Sequence, residues 1–407
     1  MDLARLAREH GTPLYVYDRD DLRRAHSDLR SALPDPSRIY FSVKANPHPH
    51  VASVLAEAGC HAEIASAGEV GAALAAGFPA DRVLMTGPGK SPEDLRKAFG
   101  NGVRRFSVDS PTDLARIGAH AARAGVEADC LLRVNADEPV PGMGLSMTGT
   151  ASVFGADASW VLARPELFRR SGAAVVRGLH LYMGTNIEDG EVLFRQFETS
   201  LRLAGLVGSA LGVPLAELDL GGGFGMPYAR SGERPDFTGL RPRLEKVLDH
   251  AVPGWQAGDP LVSFESGRYL AGGCGRLVNR VLDVKESKGR TFVVLDSGIN
   301  HLGGMSGLRR IPRIVPDLLP VEHRGGEVAD CTVAGPLCTP LDTWCQGVTL
   351  PELRPGDLVA VPNVGAYGLT AGLLAFLGHP APKELVLDAG SVVSLSEVAI
   401  NRDFSDT

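Results

Sequence analysis

The sequence predicts an α/β protein built on a (β/α)₈ barrel, with a β domain after it, and three observations carry that prediction. Short β-rich runs alternate with longer amphipathic segments eight times between residues 38 and 265. After residue 270 the helical segments thin out and strands follow one another between Gly, Pro and Asp turns. The length of 407 residues suits two domains rather than one. In order, the barrel strands are RIYFSV (38–43), CHAEIA (60–65), RVLMT (82–86), RRFSVD (104–109), DCLLRVN (129–135), VRGLHLYM (176–183), AELDLG (216–221) and LVSFE (261–265). Between them PHVASVLAEAG, GEVGAALAAG, SPEDLRKAFG and VLFRQFETSLRLAGLVGSALG repeat apolar residues at three- and four-residue intervals, several ending in Gly. An open doubly wound sheet uses the same alternation and is the competing arrangement. The β domain is read from RLVNRVLDV, TFVVLD, DCTVAG, LVAVPN, ELVLD and VVSLS, and the early run PLYVYD (13–18) is expected to join it. The boundaries are therefore residues 26–268 for the barrel, and 1–25 with 269–407 for the β domain. The small-residue stretch 143–157 is expected to be a barrel loop.

Composition narrows the function. Apolar residues make up 44% and charged residues 22%, which excludes extensive disorder and fibrous architectures. A net charge of −7 argues against a partner in nucleic acid bound through overall charge. No apolar stretch reaches the roughly 18–20 residues that span a membrane, so no membrane partner is expected. The N-terminus MDLARLAREHGTPLYVYD opens on charged residues without a signal-peptide core, and a cytoplasmic location is the expectation. The six cysteines are scattered without zinc spacing or disulfide density; reduced thiols and no metal site are expected. Seven lysines against thirty-four arginines leave few candidates for imine chemistry.

Lys44, in YFSVKANPHPHV, follows the first barrel strand and so opens onto the face where barrels place active sites. Partial desolvation there would lower its pKa and make the amine a better nucleophile. The turn LDLGGGFGMPY (218–228) follows the seventh strand, and Gly221, Gly222, Gly223 and Gly225 let backbone N–H groups approach an anion. Barrels often bind phosphate after strands seven and eight. FESGRYL (264–270) adds Glu265, Gly267 and Arg268 beside that place. A lysine, a glycine turn and an arginine together fit a phosphorylated aldehyde that forms an imine, pyridoxal 5′-phosphate (PLP).

VKANPHP, EIASAGE, GLHLYMGT, LDLGGGFG, ESGRYL, AGPLCTPLD and GAYG occur in one order over residues 11 to about 390. In this the chain resembles the fold-type III PLP-dependent decarboxylases, the alanine-racemase-like barrels that include diaminopimelate and ornithine decarboxylases. The resemblance implies that Lys44 holds the cofactor as an imine. It assigns the phosphate to the Gly221–Gly225 turn, Gly267, Arg268 and Tyr367. Glu265 would face the pyridine nitrogen and keep it protonated, where racemase relatives carry an arginine; this favours loss of CO₂ over racemisation. The bland alternative for Glu265 is a surface ion pair with Arg268. Cys338, in GPLCTPLDTW, matches the cysteine that this family brings across a dimer interface as a proton donor, so a homodimer with shared sites is implied. Asp342 is expected to hold either the substrate amine or the loop. Weaker candidates are Glu63 and Glu69 after the second strand, Arg133 as an orienter of Glu265, and His180, which is equally a core histidine.

Three departures bear on substrate. Thr339 stands where diaminopimelate enzymes carry a glutamate for the distal ammonium, a contact worth about 1.5–3 kcal/mol. Tyr182, in HLY, replaces the histidine that stacks on the cofactor ring, and its aromatic face can still stack. HLGGMSGLRRIPR, after LDSGIN, lacks the Arg-Pro pair that grips a distal carboxylate. These features resemble the branch acting on amino acids tethered through the side-chain carboxyl to an acyl carrier protein, as in butirosin and vicenistatin assembly. What this implies is a PLP-dependent α-decarboxylase of a carrier-bound glutamyl or 3-methylaspartyl group, giving a carrier-bound β- or γ-amino acid. Arg309, Arg310 and Arg313 are the candidates for docking the carrier. A decarboxylase of free diaminopimelate, ornithine or lysine, and a non-catalytic PLP-binding regulator, are the alternatives.

Overall fold

The computed structural model describes residues 1–137, 145–146, 149, 151–305, 314–322 and 325–402. The chain divides into two compact units, one of Arg23–Met226 and Arg234–Leu270, the other of Met1–Leu22, Pro227–Glu233 and Ala271–Thr407.

The first unit holds β1 (Arg38–Ser42), β2 (His61–Ile64), β3 (Val83–Met85), β4 (Arg105–Val108), β5 (Ala128–Asn135), β6 (Ala174–His180), β7 (Glu217–Asp219) and β8 (Leu261–Ser266). Each pairs in parallel with the next, and β8 returns to β1, which closes the barrel and settles the choice against an open sheet. These strands read as apolar runs because both of their faces are covered. Val83, Leu84 and Met85 of β3 are all buried, as are Phe106 and Val108 of β4. Helices start where the sequence supplies caps. Ser66, Ser91 and Ser110 accept backbone N–H bonds at the starts of helices Ala67–Ala75, Pro92–Gly100 and Pro111–Arg123. Proline at the first position of the last two suits a site that needs no N–H. These caps follow β2, β3 and β4 closely, so the helices leave from the C-terminal rim where the candidate residues stand.

The other unit is mainly sheet. Its strands run in the order Thr343–Pro351, Glu327–Ala334, Arg290–Leu295, Gly275–Ser287, Leu14–Asp18, Lys383–Asp388 and Ser391–Glu397, with Leu358–Val361 also paired to Gly275–Ser287. As expected, the early strand joins this sheet, antiparallel to Gly275–Ser287 and parallel to Lys383–Asp388. Its Leu14 and Val16 pack with Ala4, Leu6, Ala7, Val278, Leu358, Leu385 and Leu387 in one apolar cluster. Three features escaped the sequence pattern. Helix Leu3–His10 is short, and strand Thr343–Pro351 is interrupted by Gln346 and Gly347. Within the expected 143–157 loop, Leu145–Ser146 pairs with Gly184–Thr185 and Ala156–Asp157 pairs with β5. Two-residue pairings are too short to show a period. Residues 143–144, 147–148 and 150 of that stretch lie outside the described residues. No helix among the described residues is long and apolar enough to cross a membrane.

Candidate active site

β1 ends at Ser42, and one helical turn, Val43–Ala45, presents Lys44 beyond it. Its Nζ donates to both carboxylate oxygens of Glu63 at 3.0 Å each. The side chain of Lys44 is 46% exposed while that of Glu63 is 2% exposed, so the amine is reachable and its counter-ion is not. Burial pushes the Glu63 carboxyl up, but the Lys44 charge and hydrogen bonds from Thr86, Ser42 and Lys44 outweigh it and hold Glu63 below the usual range. Glu63 stands on β2, and its carboxylate is the immediate partner of the half-exposed lysine. Glu69, by contrast, caps inward at the next helix, accepting the Ala65 N–H at 2.6 Å.

A second group gathers inside the barrel. Arg133, His180 and Asp219 share one register level on β5, β6 and β7, and β8 brings Glu265 beside them. Glu265 is 3% exposed, which removes the surface ion-pair alternative. Its Oε1 lies 3.4 Å from His180 Nε2. Burial, with the charges of Asp219 and Glu63, pushes the Glu265 carboxyl well above its ordinary range, against the pull of Lys44 and Arg133. Burial also pushes Asp219 up to about 7, although the Gly221 N–H, 2.8 Å from its Oδ1, opposes this. His180 is pushed well below its usual value by burial, with Arg133, Lys44 and Lys90 adding to it.

The glycine turn after β7 leans on its neighbours. The Gly221 carbonyl accepts from Glu265 N–H, and the Gly222 carbonyl accepts from Gln196 Nε2 at 2.7 Å. A Cβ on Gly222 would lie 2.3 Å from the Glu265 carbonyl oxygen and 3.4 Å from the Tyr182 ring. Tyr182 therefore lies flush with the turn, and the Arg133 guanidinium sits 5.6 Å from its ring centre. Gly267 is equally confined: a Cβ there would meet the Cβ of Ala45 at 2.9 Å, tying the end of β8 to the lysine turn. Arg268 begins the short helix Arg268–Ala271 directly after it.

The remaining candidates belong to the sheet unit. Cys338 is exposed, whereas the other five cysteines are buried. Asp342 is buried and accepts the Ile299 N–H on Oδ1 at 2.9 Å and the Leu337 N–H on Oδ2 at 2.7 Å. Of its two expected roles, loop holding is the one these bonds describe. Thr339 donates its N–H to the Leu337 carbonyl and accepts the Leu341 N–H on Oγ1 at 3.3 Å. Tyr367 has a left-handed backbone, φ 58°, and its carbonyl accepts the Tyr228 hydroxyl at 3.0 Å. Arg309, Arg310 and Arg313 lie outside the described residues. Asp219 carries no motif signal of its own and His180 only an ambiguous one; both meet Glu265 across the barrel, and strand register leaves no mark in a single sequence.

A reachable amine at the first strand, a buried carboxyl with an unpartnered oxygen and a glycine turn beneath an aromatic face fit PLP. Barrel and site together define a PLP-dependent enzyme. Residues 19–272 match the model of the pyridoxal-dependent decarboxylase family, pyridoxal-binding domain. The chain is 33% identical over 396 residues to the decarboxylase of L-glutamyl-BtrI acyl-carrier protein from Niallia circulans, covering 96% of this chain and 92% of the relative. It is 35% identical over 371 residues to the diaminopimelate decarboxylase of Actinosynnema pretiosum subsp. auranticum, covering 89% and 81%. The crystal structure of Helicobacter pylori diaminopimelate decarboxylase with L-lysine superposes with a TM-score of 0.83 at 26% identity, covering 97% of this chain and 95% of that one. The chain belongs to the family of pyridoxal-dependent decarboxylases, and it is a PLP-dependent carboxy-lyase.

Proposed function

We propose that this decarboxylase acts on an acidic amino acid, glutamyl or 3-methylaspartyl in type, held by its side-chain carboxyl on an acyl carrier protein. The observation that carries the reading is at the Cys338 loop. Thr339 offers no charge to a distal ammonium, and Asp342, a carboxylate that braces the loop, accepts backbone N–H bonds on both oxygens. A free diamino acid would bury its second ammonium there without a partner, whereas a thioester carries no such charge. The likeness to the Niallia circulans enzyme, named for a carrier-bound glutamyl group, supports the same reading.

Bound PLP supplies the electron sink that lets the Cα–carboxylate bond break. Lys44 Nζ is the amine that would hold the cofactor covalently. Glu63, paired to Nζ in the cofactor-free protein, holds the lysine amine in place for the cofactor. The Gly221–Gly225 turn, Gly267, Arg268 and Tyr367 would hold the phosphate, and Tyr182 would offer its aromatic face to the ring. Glu265 keeps a proton on the ring nitrogen. Cys338 Sγ, supplied by a second copy of the chain in a homodimer, returns a proton to Cα. CO₂ release measured in parallel on glutamyl-loaded carrier and on free diaminopimelate, ornithine and lysine tests this. Turnover is expected on the loaded carrier, and efficient release from free diaminopimelate overturns tethering.

A further inference from the structure

Glu265, Asp219 and His180 present donor atoms that all lie within 4.8 Å of one another, inside the barrel and away from solvent. Three of the facing atoms, Glu265 Oε1, Asp219 Oδ2 and His180 Nε2, have no hydrogen-bond partner of ordinary length among the described residues. The far ends of two of these groups are fixed. Asp219 Oδ1 takes the Gly221 N–H at 2.8 Å, and His180 Nδ1 stands 2.8 Å from the Ser107 hydroxyl on β4. Buried polar atoms without partners are costly, so a family of three meeting at one point needs a reason.

We propose that His180 is the positioning residue of Glu265, and that Ser107 lets it serve Glu265 in both of that carboxyl's protonation states. The inference rests on the reading above that Glu265 faces the ring nitrogen. A hydroxyl both donates and accepts, and a neutral imidazole always carries one donor and one acceptor nitrogen. When the Ser107 hydroxyl donates to Nδ1, Nε2 carries the hydrogen and donates to an ionised Glu265. When Ser107 accepts from Nδ1–H, Nε2 is a bare acceptor and accepts a hydrogen bond from the O–H of a neutral Glu265. Either way neither Nε2 nor Glu265 Oε1 is stranded, which a lysine in place of His180, a donor only, could not achieve. Burial keeps the imidazole neutral, as this requires.

Among the described residues, Asp219 from β7 and Glu63 from β2 favour the neutral form, while Lys44 and Arg133 favour the ionised one. Burial and these neighbours together shift Glu265 toward its neutral form, and a protonated ring nitrogen opposite it would shift it toward the ionised one. The 3.4 Å gap to Nε2 is the contact that changes hands.

The test uses the full-length protein, freed of cofactor and titrated with PLP, followed by the pH dependence of the bound cofactor's absorbance. Relative to wild type, His180→Leu is expected to bind PLP about tenfold more weakly, the scale of one hydrogen bond to a charged group. Its spectral midpoint is expected to fall, because a misplaced Glu265 holds the ring proton less firmly. His180→Gln keeps a donor and an acceptor at the Nε2 position and restores most of both. Ser107→Ala shifts the midpoint in the same direction by less, and keeps the proposal testable if the leucine variant does not fold. An unchanged midpoint in Ser107→Ala together with unchanged affinity in His180→Leu overturns the proposal. Glu265→Gln separates the two levels: if it also leaves affinity and midpoint unchanged, the placing of Glu265 itself is wrong.

Discussion

Single residues decide what this site accepts. Thr339 replaces a carboxylate with a hydroxyl already engaged by the Leu341 N–H. Thr339→Glu is expected to give measurable CO₂ release from free diaminopimelate where the wild type gives little, a gain of about tenfold or more if the new carboxylate meets the distal ammonium. Far from the site, Glu384 shows how one buried carboxyl shapes pH dependence. Burial pushes it up to about 7, against the hydrogen bond from the Tyr17 hydroxyl at 3.0 Å. Its folded-state pKa is above its unfolded value, so its contribution is complete below the unfolded pKa and is lost as pH rises through about 7. Glu384→Gln should therefore raise Tm at pH 8, with the advantage shrinking toward pH 5. A thermal melt series across that range checks it.

At the scale of elements, the site depends on a glycine turn pressed against a strand. Gly222→Ala places a Cβ 2.3 Å from the Glu265 carbonyl oxygen, so turn or strand must shift. A loss of about 1–3 kcal/mol in urea unfolding is expected, together with weaker PLP binding. All eight barrel strands were legible, because strands buried on both faces read as apolar runs between polar helices. Lys44, Glu265 and the glycine turn were legible too, since each stands at the end of such a run. The Glu265–His180–Asp219 meeting was not, because it is made between strands far apart in the chain. Strand Thr343–Pro351 was passed over because Gln346 and Gly347 break its apolar pattern. The Lys44–Glu63 pair is hidden for a similar reason: the carboxylate comes from the neighbouring strand.

For the whole molecule, the division into a barrel unit and a sheet unit puts Lys44 and Cys338 on different units. If each site takes its cysteine from a second copy of the chain, inactive Lys44→Ala and Cys338→Ala proteins should complement one another. Random mixing of subunits restores about a quarter of wild-type activity, since half the dimers carry one complete site of two. Mixtures that stay as inactive as their components place both residues of a site on one chain.

The most direct measurement is the intact mass of a glutamyl-loaded acyl carrier protein before and after incubation with the PLP-loaded enzyme. The account predicts that the carrier stays acylated and that its load becomes lighter by one CO₂. An unchanged carrier mass, under conditions where the same enzyme decarboxylates free diaminopimelate, contradicts it.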